Sequence, residues 1–106
     1  MGHQKDQDLE RLAPFLDALR RAHPDAKVIL FGSRARGDHL KTSDYDLLVL
    51  SRDFEGVPFR ERILGVCNLL DPTVSADIIC LTHREFRTRS KELSVIGTAA
   101  KEGIHL

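Results

Sequence analysis

Residues 28–50 read VILFGSRARGDHLKTSDYDLLVL, two short apolar runs separated by a polar, glycine-containing link. Val28-Ile29-Leu30-Phe31 has no polar alternation, which is the pattern of a strand buried on both faces. Leu47-Leu48-Val49-Leu50 repeats it and predicts the buried part of a second strand running from about Asp44 to Leu50. Gly32-Ser33 follows the first run directly and leads into the basic loop Arg34-Ala35-Arg36-Gly37-Asp38. About a dozen residues join the two strands, so their relative direction is left open.

Working outward from this stretch, Asp8 to Ala22 carries Leu9, Leu12, Leu16 and Leu19 at helical spacing. Pro14 interrupts that stripe and predicts either a kink or a new helix with Pro14 in its first turn; His23-Pro24-Asp25 ends it. Downstream, Pro58 opens a helix whose apolar stripe is Phe59, Ile63, Val66 or Cys67, and Leu70, and Asp71-Pro72 stops it. Thr73 to Leu81 reads as a third strand, with Val74, Ala76, Ile78 and Cys80 on one face and Ser75, Asp77, Ile79 and Leu81 on the other. Thr82 to Lys91 is polar and locally basic (Arg84, Arg87, Arg89 and Lys91 against Glu85) and reads as a solvated surface. A last helix is expected over Ser94 to Glu102, with Gly103 as its C-terminal cap. The fold class is α/β (α+β), a small mixed sheet packed with helices in a single domain over residues 1–106.

Sixteen Lys plus Arg balance sixteen Asp plus Glu, so the 106-residue chain is formally neutral. Tracking a nucleic-acid backbone needs a basic excess, and direct nucleic-acid binding is therefore not expected. No apolar run approaches the ~20 residues of a membrane span and no secretory stretch precedes the first helix, so the expected location is the cytoplasm. Cys67 and Cys80 sit in apolar surroundings without a CxxC or Cys/His cluster. They read as buried free thiols, and a zinc site is not expected. The five histidines are scattered.

The chemistry is carried by acids and a glycine turn. Asp44 and Asp46, two apart on a strand, point to one face, with Tyr45 on the other, in the core. Two carboxylates so close raise each other's pKa unless a cation neutralises them, and hard carboxylate oxygens suit Mg2+. Asp77 adds a third carboxylate in mid-strand, where burial is costly without a partner. If its strand lies beside that of Asp44 and Asp46, the three form a ligand set for one or two metals in phosphoryl-type chemistry. Gly32-Ser33 after a buried strand can cradle a phosphate through backbone N–H groups and the Ser33 hydroxyl, with Arg34 and Arg36 adding positive charge nearby.

Gly32-Ser33, ten intervening residues, then Asp44-Tyr45-Asp46 resembles the signature of the DNA polymerase β-like nucleotidyltransferase superfamily. The fuller string GSRARGDHLKTSDYDLLVL is similar to its minimal, stand-alone members, and Asp77 in VSADIIC sits where their third carboxylate is expected. The resemblance implies a polymerase β palm-like fold and transfer of a nucleoside monophosphate, AMP from ATP, to an acceptor hydroxyl with release of pyrophosphate. It implies two Mg2+ ions on Asp44, Asp46 and Asp77, with Gly32 and Ser33 on the β and γ phosphates. Larger relatives carry acceptor-binding domains for which the stretch after Asp77 has no room, so the acceptor is expected to dock from outside. The minimal members resemble the antitoxin half of HEPN/MNT toxin–antitoxin pairs, which implies a helical HEPN-type toxin as partner and a tyrosine hydroxyl as acceptor. Two other roles stay open at this point: a non-catalytic antitoxin that occludes its partner, and transfer to a small molecule or RNA end.

Overall fold

The computed structural model describes residues 3–36, 44–91 and 95–106. The elements in chain order are α1 (His3–Ala22), β1 (Lys27–Phe31), α2 (Ser33–Arg36), β2 (Tyr45–Leu50), a 3-10 turn (Arg52–Phe54), α3 (Phe59–Cys67), β3 (Ala76–Leu81), α4 (His83–Arg89), α5 (Val95–Glu102) and β4 (Ile104–His105). The strands form one mixed sheet in the order β3-β2-β1-β4. The direction left open by the sequence is antiparallel for β1 and β2, while β2 and β3 run parallel. Among the described residues no helix is long and apolar enough to cross a membrane.

Strand alternation sorts the core into two layers. Val28, Leu30, Tyr45, Leu47, Val49, Ile78 and Cys80 face α1 and α3, where Leu12, Phe15, Leu16, Leu19 and Val66 cover them. Ile29, Phe31, Leu48, Leu50 and Leu81 face the other way, onto Ile96 and Ala99 of α5, with Ile79 and Phe86 partly buried beside them. The alternation expected for β3 holds, but the strand starts at Ala76 rather than Thr73, because Asp71 caps a turn through the Thr73 and Val74 amides; Tyr45 is in the core at 1% exposure.

Several sequence expectations are corrected. α1 runs unbroken through Pro14. Pro14 is exposed, so the carbonyl it orphans faces water. Its cost of about 3 kcal/mol is exceeded by burying four large side chains at roughly 1.5–3 kcal/mol each. Phe15 belongs to the buried stripe beside Leu12, Leu16 and Leu19; the side chain of Leu9 lies outside the described residues, as do Gly37, Asp38 and Ser94. Cys67 is exposed rather than buried, whereas Cys80 is buried, its thiol pushed up to about 12 by that burial. Gly103 does not close α5 with a left-handed residue, since Gly32 and Gly56 alone among the described residues have positive φ. It is glycine because a Cβ there would strike the Ile29 side chain and the Ala99 carbonyl. That close approach brings the chain end onto β1 as β4, with Leu30 opposite Ile104 and the Leu106 amide on the Val28 carbonyl at 2.9 Å.

The largest correction concerns α3 and α4. The apolar stripe predicted for α3 puts Phe59 inside, yet Phe59 is 45% exposed and Arg62 is 6% exposed. The Arg62 guanidinium donates to the Val57 carbonyl at 2.7 Å, to the Cys80 carbonyl at 3.2 Å and to Glu85 Oε1 at 2.7 Å. The ring of Phe59 lies 4.4 Å from it, and Phe54 lies 5.9 Å away. Buried charge is tolerated here because all three guanidinium nitrogens donate to oxygen and the flanks are aromatic. Glu85 in turn closes a capping box: its carboxylate accepts from the Thr82 amide at 2.8 Å and its own amide donates to the Thr82 hydroxyl at 3.1 Å. The Thr-x-x-Glu spacing was therefore a helix signal inside the stretch read as plain surface.

Burial alone would raise the Glu85 pKa, but hydrogen bonds from Arg62 and Thr82 hold it below its ordinary value of 4.5. This carboxylate thus contributes stability above its unfolded pKa that is lost as pH falls through the lower folded value. Glu85→Gln should cost about 1.5–3 kcal/mol in urea unfolding at pH 7, with the gap to wild type narrowing below pH 4.5. An unchanged midpoint at pH 7 would contradict this account.

Candidate active site

β2 is the central strand of the three that carry the acids and the glycine turn. Its residue Asp46 lies opposite Phe31 on antiparallel β1 and opposite Asp77 on parallel β3. The C-terminal end of β1 and the N-terminal ends of β2 and β3 therefore meet at one end of the sheet. The β2–β3 ladder extends one step further, through the Tyr45 amide to the Ser75 carbonyl at 3.0 Å. Paired positions on neighbouring strands lie about 5 Å apart, so Asp46 and Asp77 share one small region.

Alternation puts Asp46 and Asp77 on the α5 side of the sheet with Leu48 and Ile79. Asp44, just ahead of β2, and Asp77 are exposed, while Asp46 is half-buried. Burial raises the Asp46 pKa above its ordinary 3.8, and the charges of Asp77 and Asp44 push it further; Arg36 pulls the other way. Asp46 thus feels the charges of Asp44 and Asp77, and of Arg36, which is exposed at the end of α2.

Gly32 makes the turn between β1 and α2 at φ +74°, and the Arg36 amide returns to its carbonyl at 3.1 Å. A Cβ on Gly32 would collide with Asp46 Oδ2. Glycine is thus required twice, by backbone conformation and by the carboxylate that occupies the space of its missing side chain. Ser33, half-buried, opens α2 beside it.

Arg34 departs from the grouping expected of it. It is buried, with its guanidinium 4.1 Å from the centre of the Tyr45 ring. Tyr45 belongs to the α1 face, opposite to Asp46, so the turn sends Arg34 under the sheet and leaves Arg36 as the exposed cation. The two arginines look alike in sequence; what separates them is the helical step between them, which turns their side chains to different sides. The contact between Gly32 and Asp46 carried no sequence signal, because it depends on strand register.

Among the described residues no three His, Cys, Asp or Glu side chains are drawn together as a finished metal cluster. The donor set nonetheless fits a hard divalent cation: carboxylate oxygens only, one of them raised in pKa by its neighbours and so favoured by a compensating positive charge.

Comparison with known proteins bears on the family and the fold. The model of the nucleotidyltransferase domain family matches residues 12–104. No curated protein matches the chain. Among solved structures, a protein from Sulfolobus solfataricus described as a proposed nucleotidyltransferase superposes with a TM-score of 0.69 at 24% identity, over 96% of this chain and 81% of that one. At that identity the likeness speaks for the fold.

Two outcomes follow from the site. Because the Asp46 pKa is raised, folded protein must ionise this carboxylate against its neighbours, and stability falls as pH rises from 3.8 through the raised value. Asp46→Asn should therefore melt higher than wild type at pH 7 in EDTA, with the difference vanishing near pH 3.8; an equal or lower melting temperature at pH 7 would refute the repulsion. Gly32→Ala should lose about 1–3 kcal/mol of stability from backbone strain alone, and more from the displaced Asp46, as measured by denaturant titration.

Proposed function

The chain belongs to the nucleotidyltransferase domain family, and from that premise we propose that it moves AMP from ATP to a hydroxyl of a partner protein, a helical HEPN-type toxin, and so acts as an antitoxin. The observation that carries the transferase half is the register that sets Asp46 beside Asp77 across parallel strands, with the Gly32 turn packed against Asp46. The protein acceptor is supported by the resemblance of residues 32–50 to minimal antitoxin members and by the balanced charge, which suits a nucleic-acid acceptor poorly.

Asp44, Asp46 and Asp77 would hold Mg2+. Bound there, the ion neutralises triphosphate charge and acidifies the acceptor hydroxyl. The chain's own residues supply position. The turn at Gly32 leads the chain from β1 into α2, where backbone N–H groups and the Ser33 hydroxyl can donate to phosphate oxygens. Arg36, exposed at the same end of the sheet, adds positive charge toward the β and γ phosphates, whereas Arg34 braces the turn from below on Tyr45. Asp77, more exposed than Asp46, takes the proton of the incoming hydroxyl. That oxygen bonds to the α-phosphorus as the bond to pyrophosphate breaks. No covalent enzyme intermediate is needed, and catalysis is positioning plus charge stabilisation.

Intact mass spectrometry of the protein encoded by the adjacent gene, incubated with this chain, ATP and Mg2+, tests the proposal. A gain of one or more AMP units is expected, absent with the Asp44→Asn, Asp46→Asn double variant. A stable complex with no mass gained would overturn transfer to this partner and leave occlusion as the mode of neutralisation.

A further inference from the structure

The opposite end of the sheet carries opposite charge. Beyond the C-terminal ends of β2 and β3 lies an open cavity of about 420 Å3 lined by Arg52, Glu55, Thr82, His83, Arg84 and Arg87. Six residue steps lead from Asp46 along β2 and past its end to Arg52, placing this cavity about 20 Å from the carboxylates. Three guanidinium groups and one histidine line it beside one carboxylate, Glu55, while Asp25 next to it offsets Arg52 and His83, so Arg84 and Arg87 carry the excess.

The arginines are placed at a cost. Arg84 and Arg87 are three apart on α4, where like charges repel. Among the described residues neither has a carboxylate partner, in contrast with Arg62, which spends its charge on Glu85, and Arg89, which lies 5.5 Å from the Phe59 ring. Arg52 reaches the cavity from the 3-10 turn, its side chain 83% exposed and only loosely offset by Asp25 at 3.7 Å. Beside the cavity, Asp25 ties two of its lining residues together. Asp25 accepts from the Ser51 hydroxyl and the Arg52 amide, each at 2.7 Å, and holds His83 Nε2 at 3.3 Å. Burial would raise the Asp25 pKa, but these partners hold it below the ordinary carboxylate value, so it remains the anion that fixes His83.

We propose that this cavity is a second ligand site, distinct from the carboxylate end, for a small polyphosphorylated molecule of the nucleoside polyphosphate class. Charges converging from two elements on a concavity suit one compact polyanion, and the volume lies in the range of small-molecule sites. A flat face would be the expectation for a protein partner. The position, outside the carboxyl ends of the parallel strand pair, is where open sheets with helices on both faces admit ligands.

Sodium tripolyphosphate titrated into the full chain in EDTA, followed by calorimetry and by melting temperature, is the test. Without metal the carboxylate end repels the probe, so one site per chain is expected, with a raised melting temperature. Arg84→Ala with Arg87→Ala should weaken Kd roughly tenfold or more. Ser33→Ala with Arg36→Ala should leave it unchanged, because those residues lie at the other end. Loss of binding in the second variant instead of the first, or no binding to wild type by either readout, overturns the site. ADP binding in competition with tripolyphosphate supports a small ligand; binding of a short single-stranded RNA with no response to ADP or tripolyphosphate overturns that class.

Discussion

A sheet covered by helices on both faces has nowhere to keep a carboxylate except at its ends, and that constraint organises this molecule. Leu47, Leu48 and Val49 of β2 are fully buried, and Leu50 nearly so. Charge can enter the strand only in its first two residues or after its last. Asp46 is as far in as a carboxylate reaches, half-buried and raised in pKa by that position before its neighbours act on it. Parallel pairing of β2 with β3 then brings Asp77 to the same level, and antiparallel pairing with β1 brings the Gly32 turn there. One register thus decides both where the acids meet and why the turn has no side chain.

The same constraint has its other solution in Arg62. Here charge does go inside, and the structure surrounds it with two carbonyls, a carboxylate and two aromatic rings. The arrangement ties α3 to the edge strand β3 and to the first turn of α4. Since β3 carries Asp77 at one end and leads into Thr82 and His83 at the other, this pair holds the element common to both charged ends of the sheet. Arg62 touches neither end, and its contribution is to the rigidity of what lies between them.

Much of this was legible in residues. Uniformly apolar runs marked β1 and β2, the period of two marked β3 apart from its start, and the Gly-Ser and Asp-x-Asp spacing pointed to the acids. What escaped depended on distant partners. An apolar stripe has no way of showing that Arg62 belongs inside, because the carboxylate that makes it tolerable lies 23 residues downstream. The basic run after Leu81 read as solvated surface because its charge hides the Thr82-x-x-Glu85 capping box that starts α4. Arg34 and Arg36 were treated alike because a helix turn separates them only in three dimensions. Strand direction, and with it the packing of Gly32 on Asp46, is a property of pairing that no local pattern encodes.

The position of β3 has one more consequence. In the strand order β3-β2-β1-β4, the outer side of β1 receives β4, whereas β3 is the outermost strand at the other border. Such a border offers unpaired backbone groups to any extended chain that comes near, and proteins discourage this with charge on the outer strand. Asp77 is that charge. A chain adding to this border would have to bring one of its own residues beside the exposed Asp77 carboxylate, which disfavours an acid at that level.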